Sequence, residues 1–173
     1  MLAAFRSQDR GLNWLLKIED YSHIEVTMNE FDIVTVIDRP ADEVFAFLVD
    51  VDKAAAWNPQ VLEARQTSDG PLGVGSSLLY VGKFLGRRFE SVSECTEYTP
   101  NERFSTKTTS GPFHLEIDNT LSSVDGGTRL ATNYRGESRG FFKLAEPVVV
   151  RLTKKQFETA TENLKALIET EAT

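Results

Sequence analysis

The stretch PVVVRLTKKQFETATENLKALIE, residues 147–169, decides the fold of this chain. Its positions three or four apart form one predicted helix face, made of Val149, Leu152, Gln156, Ala160, Leu164 and Leu167. Charged side chains occupy the opposite face, which is the pattern of an amphipathic helix. At 1.5 Å per residue this helix is about 35 Å long. An apolar stripe of that length needs a broad apolar surface to pack on, and a sheet of several strands supplies one.

Most of the chain before this helix predicts such a sheet. A β-branched strand at 31–37 is followed by a helix that begins near Pro40, and Asp50 is predicted to cap a second short helix over 51–56. Six more strands are predicted between short turns, at 61–67, 76–84, 87–98, 103–109, 113–122 and 128–137. This order predicts an α+β fold, in which a curved seven-stranded antiparallel sheet surrounds a long C-terminal helix.

The first 27 residues differ from the rest of the chain. They hold one short apolar cluster among charges, and as a secretory signal the cluster is too short and lacks a cleavage site. A short amphipathic helix or a flexible arm is expected there. The predicted organisation is therefore an N-terminal extension, residues 1–27, before a single folded domain at 28–173.

Composition excludes several classes of function. A formal charge of −7 argues against a nucleic-acid binder and against electrostatic docking on anionic lipid. Cys95 is the only cysteine, so no intrachain disulfide forms and a reducing, cytoplasmic location is expected. No metal site or cofactor is predicted, because one Cys and two His cannot build a structural zinc site and no phosphate-binding glycine loop is present. No apolar run has the length of a membrane span, and a monomer and a homodimer are equally compatible with the sequence.

The element order and several short motifs resemble the START-like (SRPBCC) superfamily. The motifs are IDRPADEVFAFL at 37–48, WNP at 57–59, LGRR at 85–88 and GGTRL at 126–130. Within the superfamily the chain is most similar to the polyketide cyclase/dehydrase and lipid-transport group, over residues 30–170. The resemblance implies a helix-grip fold with a deep apolar cavity between sheet and helix, which holds lipids, polyketides or other hydrophobic molecules. It implies no catalytic residue, because the superfamily does not hold such residues at fixed motif positions.

Strand alternation assigns side chains to the two faces of the sheet. In 113–121 the apolar row with Asn119 is predicted to face the helix, and Asn119 then needs a partner in ligand, water or backbone. His114, with Glu116 and Asp118, could serve as a general base but falls on the solvent face.

The predicted ligand-binding residues are mainly aromatic. In each case the alternative role is ordinary core packing, and for Trp57 it is packing of the short helices. The set consists of Trp57, Tyr80, Phe84, Phe89, Phe104, Phe113, Asn119, Tyr134, Phe142 and Val149. Three arginines, Arg87, Arg88 and Arg135, either hold an anionic head group at a cavity mouth or lie on the surface.

Three functions remain open from the sequence. The first is binding of a small hydrophobic molecule in the cavity. The second is an enzyme of the polyketide cyclase/dehydratase type, in which a tyrosine or asparagine orients a poly-β-keto chain. The third is a protein-interaction module that uses the outer sheet face. A cavity of several hundred Å³ with paired polar side chains favours the enzyme, and a cavity lined only by apolar groups favours a carrier. A filled interior with an exposed apolar patch on the sheet favours the interaction module.

Overall fold

The computed structural model describes residues 27–84, 86–138 and 146–171. Strand β1 (Thr27–Ile37) is followed by helix α1 (Ala41–Val49), a 3₁₀ turn (Val51–Lys53) and the one-turn helix α2 (Ala54–Trp57). Six strands come next: β2 (Val61–Gln66), β3 (Ser77–Phe84), β4 (Arg87–Thr99), β5 (Arg103–Ser110), β6 (His114–Val124) and β7 (Gly127–Ser138). Helix α3 (Glu146–Glu171) comes last in the described chain. The predicted element order and α+β class are confirmed.

The seven strands form one antiparallel sheet in the order β1-β7-β6-β5-β4-β3-β2. Every neighbouring pair except β1–β7 is a hairpin of consecutive strands, so short turns are enough to build the sheet. The register of β4 shifts between Val92 and Ser93 and again between Cys95 and Glu97. Such irregularities bend a strand and increase its twist. They help to curl the sheet around α3, as the helix-grip prediction requires.

One side of the curled sheet is covered by α1 and by the second half of α3. Apolar side chains from the sheet and both helices are fully or almost fully buried there, among them Ile37, Val44, Leu78, Leu130 and Leu164. This packed region is the hydrophobic core, and it fixes α3 against the strands by apolar burial.

The predicted cap at Asp50 is wrong in detail. Its side chain makes no capping hydrogen bond, and its carboxylate instead lies 3.6 Å from the ammonium of Lys53. The Asp50 carbonyl accepts a hydrogen bond from the Lys53 amide at 3.0 Å. This i to i+3 bond tightens the chain into a 3₁₀ turn ahead of α2.

The buried face of α3 is shifted from the predicted one. Ala160, Leu164 and Ile168 are buried as a helical row, but Leu152, predicted on the same face, is 41% exposed. Phe157, outside the predicted row, lines the interior together with Leu164, and the predicted Gln156 is half-buried beside it. The real stripe follows Phe157, Thr161, Leu164 and Ile168, at spacings of four, three and four.

The C-terminal end of α3 is tied to the turn after β1. Arg39 donates a hydrogen bond from Nη2 to the Glu169 carbonyl at 2.7 Å, and the Asp38 amide donates to Glu169 Oε1 at 2.9 Å. The guanidinium satisfies a carbonyl that the helix itself leaves free and interacts favourably with the helix dipole. One end of the helix is therefore fixed to the sheet by polar contacts as well as by packing.

Candidate functional site: a cavity between the sheet and α3

The space between α3, α2 and the inner face of the sheet is not filled. A cavity of about 160 Å³ lies there, lined from the helices by residues such as Leu48, Trp57, Phe157, Thr161 and Leu164. The sheet supplies the other walls, with Tyr80, Phe89, Ser91, Ser93, Phe104, Thr106, Thr108, Leu115, Ile117, Asn119, Leu130, Thr132 and Tyr134. A cavity this size is comparable to those that hold a single aromatic ring in other proteins.

Strand alternation places these side chains as predicted for β6 and β7. Leu115, Ile117 and Asn119 of β6 face the cavity, whereas Glu116 and Asp118 form ion pairs on the outer face. The inward row of β7 likewise supplies Leu130, Thr132 and Tyr134. Adjacent strands therefore contribute both apolar and hydroxyl side chains to the cavity wall.

Asn119 is held by two neighbouring strands. In the sheet it lies opposite Phe104 of β5 and Thr132 of β7. Its amide nitrogen donates to the Phe104 carbonyl at 3.0 Å, and its amide oxygen accepts from the Thr132 hydroxyl at 2.8 Å. The partner that a buried amide requires is therefore found within the sheet.

Tyr134 is also held firmly by its surroundings. Its ring stacks on Phe157 of α3 with centroids 4.2 Å apart and on Phe31 of β1 at 5.1 Å. Burial raises the pKa of Tyr134 well above its usual range, while hydrogen bonds with the side chains of Thr161 and Thr132 act in the opposite direction. The phenol joins the sheet to α3, and its hydroxyl is already engaged.

Tyr80 lines the same cavity but differs from Tyr134 in the hydrogen bonding of its hydroxyl. Its side chain keeps some accessible surface, which is directed at the cavity it lines. Desolvation by burial, with a smaller contribution from Cys95, raises the pKa of Tyr80 to about 12. Within the described ranges no hydrogen bond reaches its hydroxyl. At neutral pH Tyr80 is therefore a protonated phenol that can donate a hydrogen bond to a molecule in the cavity.

Two further donors at the α2 end of the cavity have no partner among the residues that the structure describes. The indole nitrogen of Trp57 and the side-chain amide nitrogen of Gln60 are buried there without a hydrogen bond, and both residues line the cavity. Their backbones are fixed, since the Trp57 carbonyl accepts from Asn163 at 3.1 Å and the Gln60 amide donates to Asn58 Oδ1 at 3.0 Å. Buried donors without partners are uncommon and raise the free energy of the folded state.

Phe89 lies against the backbone of β3. A Cβ at Gly82 would come within 2.7 Å of the Phe89 ring and 2.6 Å of the Gln60 carbonyl, so only glycine lets this ring approach the strand so closely. Phe113 packs edge-on against Phe89 at 5.3 Å and against Phe84 at 5.2 Å. Phe84 and Phe113 thus lie behind the lining ring Phe89 and are not themselves among the lining residues.

The remaining predicted residues fall elsewhere. Phe142 lies outside the described residues, and of Val149 only the helical backbone is described. Trp57, Tyr80, Phe89, Phe104, Asn119 and Tyr134 all line the cavity. That any of the ten binds a ligand stays a prediction.

The outer face of the sheet carries paired charges on β5, β6 and β7. Arg135 pairs with Glu116 at 3.2 Å and with Asp118, and Lys107 pairs with Glu116 at 2.6 Å. Arg135 is therefore directed away from the cavity, and the idea that it holds a head group at the cavity mouth is wrong. Arg88 pairs with Glu90 at 3.3 Å on the surface.

Several lining residues were missed by the sequence analysis. They are the hydroxyl and amide side chains of adjacent strands and helices, namely Gln60, Ser91, Ser93, Thr106, Thr108, Thr132 and Thr161, together with Phe157. The signal for those in β4 was present, because Phe89, Ser91 and Ser93 alternate with outward positions. The predicted set consists of aromatic side chains with Asn119 and Val149, so these hydroxyl groups lie outside it.

Two other kinds of site find no support in the described part of the chain. There, no group of three or more His, Cys, Asp or Glu side chains is arranged to hold a metal ion. None of its helices is both long and apolar enough to cross a membrane.

A curled seven-stranded sheet that grips a long helix over an open cavity defines a START-like protein. Residues 28–169 match the family of polyketide cyclase/dehydrase and lipid transport proteins, and the chain belongs to that family. Among curated proteins, none is significantly similar to it in sequence.

Solved structures share this fold at low sequence identity. The protein TTHA0849 from Thermus thermophilus is 17% identical with a TM-score of 0.74, covering 84% of this chain and 100% of that one. The Zhui aromatase/cyclase from Streptomyces sp. R1128 is 13% identical with a TM-score of 0.73, covering 85% and 97%. A START superfamily protein from Mycobacterium smegmatis is 17% identical with a TM-score of 0.66, covering 82% and 97%. At such identities the likeness defines the fold alone.

Proposed function

We propose that this protein binds a small hydrophobic molecule in the cavity between the sheet and α3. The observation that carries the proposal is the unfilled space of about 160 Å³ beside a tightly packed core. Protein interiors are normally close-packed, so an open cavity lined by apolar side chains loses contacts that a ligand can restore. Burial of the ligand's apolar surface, at about 25 cal/mol per Å², would supply the driving force.

Toluene is a suitable probe, because one substituted aromatic ring matches the size of the cavity. Leu115 lines the cavity from β6, so Leu115→Trp should fill it and abolish the chemical-shift changes that toluene causes in the NMR spectrum. Thr120 lies on the same strand and is exposed, which makes Thr120→Trp a control that introduces the same side chain outside the cavity and should bind toluene normally. Equal binding by both variants, or none by the unaltered protein, would contradict the proposal.

A natural ligand can be sought directly. The protein is purified from its own host and examined by native mass spectrometry for a co-purified small molecule. The expected result is a mass shift that disappears in Leu115→Trp and persists in Thr120→Trp.

A second candidate is enzymatic chemistry of the cyclase/dehydratase type, supported by the family and by the aromatase/cyclase among the similar structures. The specific observation that favours it is the polar chain Asn119–Thr132–Tyr134–Thr161 within the cavity wall. None of the described lining residues is an ionisable acid or base that titrates near neutral pH, so proton abstraction has little support there. Orientation of a substrate by hydrogen bonds is better supported.

This candidate is tested with a 1,3-diketone, 1-phenyl-1,3-butanedione in D₂O. An enzyme of this kind should accelerate deuterium exchange at the carbon between the two carbonyls, and Tyr80→Phe should reduce the acceleration. If the protein only binds the diketone, the bound diketone should exchange no faster than the free diketone.

The third function, an interaction module on the outer sheet face, has less support. The ion pairs of Arg135 and Lys107 occupy that face, and among the side chains described for β1 the exposed large apolar ones are Val34 and Val36. A cytoplasmic location, the absence of nucleic-acid binding, a monomeric or homodimeric state and a separate N-terminal extension stay predictions.

A further inference from the structure

The cavity is uncharged throughout its described wall. Every lining residue is apolar or carries a neutral hydroxyl, amide, phenol or indole group, and none is Asp, Glu, Lys, Arg or His. A carboxylate or phosphate taken into such a cavity would lose its hydration without gaining a cation, which is strongly unfavourable. The net charge of −7 adds repulsion of anions from the whole molecule.

Among the described lining residues, the buried polar atoms without a hydrogen bond are both donors. Tyr80 presents an O–H without a partner in the described chain, and Trp57 Nε1 and Gln60 Nε2 are buried and unpaired. Indole N–H has no acceptor function, and an amide nitrogen also donates only. Two acceptors in the cavity wall are already used, since Asn119 Oδ1 accepts from Thr132 and the Phe104 carbonyl accepts from Asn119. The hydroxyls of Ser91, Ser93, Thr106 and Thr108 also line the cavity, and each can donate to a carbonyl as well as accept.

The two tyrosines show which hydroxyl is free for a ligand. Tyr134 is engaged with Thr161 and Thr132, whereas Tyr80 has no comparable bond within the described chain. In the present conformation the Trp57 and Gln60 nitrogens are covered. If either side chain rotates toward a ligand, its unpaired nitrogen gains a hydrogen-bond acceptor, which is favourable.

We propose that Tyr80, assisted by Trp57 and Gln60, selects neutral ligands that present a carbonyl oxygen and rejects the corresponding carboxylates. This inference rests on the proposed function, because it names the chemistry of the ligand in the same cavity. The carbonyl oxygen is the complement of the free donors, and the apolar remainder of the ligand contacts side chains such as Ile117 and Leu130.

Three single-ring probes separate the effect of the carbonyl oxygen on affinity from the effects of apolar burial and of charge. Acetophenone carries the carbonyl, α-methylstyrene has the same shape with a CH₂ group in place of the oxygen, and benzoate carries a negative charge. Because the two neutral compounds differ in their transfer from water, the informative quantity is the change in each affinity on mutation. Affinities are measured by NMR titration of the unaltered protein and of Tyr80→Phe.

The expected result is that Tyr80→Phe lowers the affinity for acetophenone about tenfold, as for loss of one well-formed hydrogen bond. Its affinity for α-methylstyrene should stay the same or rise. Gln60→Leu should act in the same direction with a smaller factor, about threefold. Benzoate should bind at least tenfold more weakly than acetophenone.

The control is Tyr98→Phe, because Tyr98 packs against Phe45 and Phe104 and does not line the cavity. It should leave both neutral affinities unchanged. If Tyr80→Phe changes both affinities equally, or if benzoate binds as tightly as acetophenone, the donor inference is wrong while the hydrophobic-binding function stands. If neither neutral compound binds, the proposed function fails and the inference fails with it.

Discussion

The Thr132 hydroxyl donates a hydrogen bond to the amide oxygen of Asn119 at 2.8 Å, across the β6–β7 pair in the wall of the cavity. Both residues are more than nine-tenths buried. Together with the bond from Asn119 to the Phe104 carbonyl at 3.0 Å, this contact joins three strands by side chains. It stabilises the curved part of the sheet that the cavity needs.

Asn119→Ala should therefore destabilise the protein by about 2–3 kcal/mol, because it leaves the Thr132 hydroxyl buried without its acceptor and removes packing. Urea denaturation measures the change. The control is Asn133→Ala, whose side chain bonds Glu30 and Asp32 on the outer face and should change stability by less than about 0.5 kcal/mol. Equal effects of the two variants would show that the buried network contributes nothing special.

The two cavity tyrosines should respond oppositely to removal of the hydroxyl. Tyr134→Phe breaks contacts with Thr161 and Thr132 and should cost about 1 kcal/mol of stability. Tyr80→Phe removes a poorly solvated hydroxyl that has no partner within the described residues, so the ligand-free protein should be equally stable or slightly more stable. Thermal denaturation of both variants, side by side, is the measurement. A clear loss of stability in Tyr80→Phe would mean that its hydroxyl has a partner.

Alkaline titration offers a second test of Tyr80. Its pKa in the folded state is raised to about 12, above the ordinary value near 10. The unfolded chain then releases its proton first, so this group lowers the free energy of unfolding as pH rises from about 10 to about 12. Tyr80→Phe should make stability less dependent on pH in that interval. An unchanged pH dependence would contradict the raised pKa.

Gly82 should not tolerate a side chain. In Gly82→Ala the new methyl group would meet the Gln60 carbonyl at 2.6 Å and the Phe89 ring at 2.7 Å, which forces the ring or the backbone to move and should cost about 1–3 kcal/mol. Because Phe89 lines the cavity, toluene binding should weaken too. Gly73→Ala is the matched control, since a Cβ there meets nothing within 4 Å and stability should be unaffected.

Arg39 should hold the end of α3. Arg39→Ala removes the bond to the Glu169 carbonyl and should cost about 1–2 kcal/mol, as for a charge-assisted hydrogen bond. Amide hydrogen exchange should accelerate in the last turn of α3 and remain unchanged in β4. Arg65→Ala, which loses only an exposed pair with Glu63 at 3.6 Å, should leave the exchange of α3 unchanged. Uniform acceleration throughout the protein would indicate general destabilisation instead of a local contact.

Acid should lower the free energy of unfolding by protonating Glu116 on the outer face of the sheet. A hydrogen bond from Lys107 holds the pKa of Glu116 below its usual range. The stability this pair contributes is present above the unfolded-state pKa, near 4.3, and is lost as pH falls through the lower folded-state value. Glu116→Gln should flatten the decline of stability below about pH 4.3 in acid denaturation. An unchanged acid profile would mean that the pair is fully screened by solvent.

The local pattern of the sequence was sufficient for the architecture. Turn signals such as 125–127 separate runs that alternate in polarity, and alternation assigns each side chain to a face because strand geometry has a period of two. That is why Ile117 and Asn119 were expected inside and Glu116 outside, as observed. The helix stripe was predicted correctly at Ala160 and Leu164 but less well in the first half of α3, where Leu152 is exposed and Phe157, outside the predicted row, lines the cavity.

Only the tertiary structure decided which polar groups in the cavity wall are free to bind a ligand. Tyr80 and Tyr134 look alike in sequence, each in an inward apolar row, yet only Tyr134 meets Thr161 from a helix far along the chain. Whether a hydroxyl is engaged depends on which distant element packs over it, and periodicity within one strand carries no such information. For the same reason the size of the cavity and the unpaired nitrogens of Trp57 and Gln60 follow from how α2 and α3 sit on the sheet.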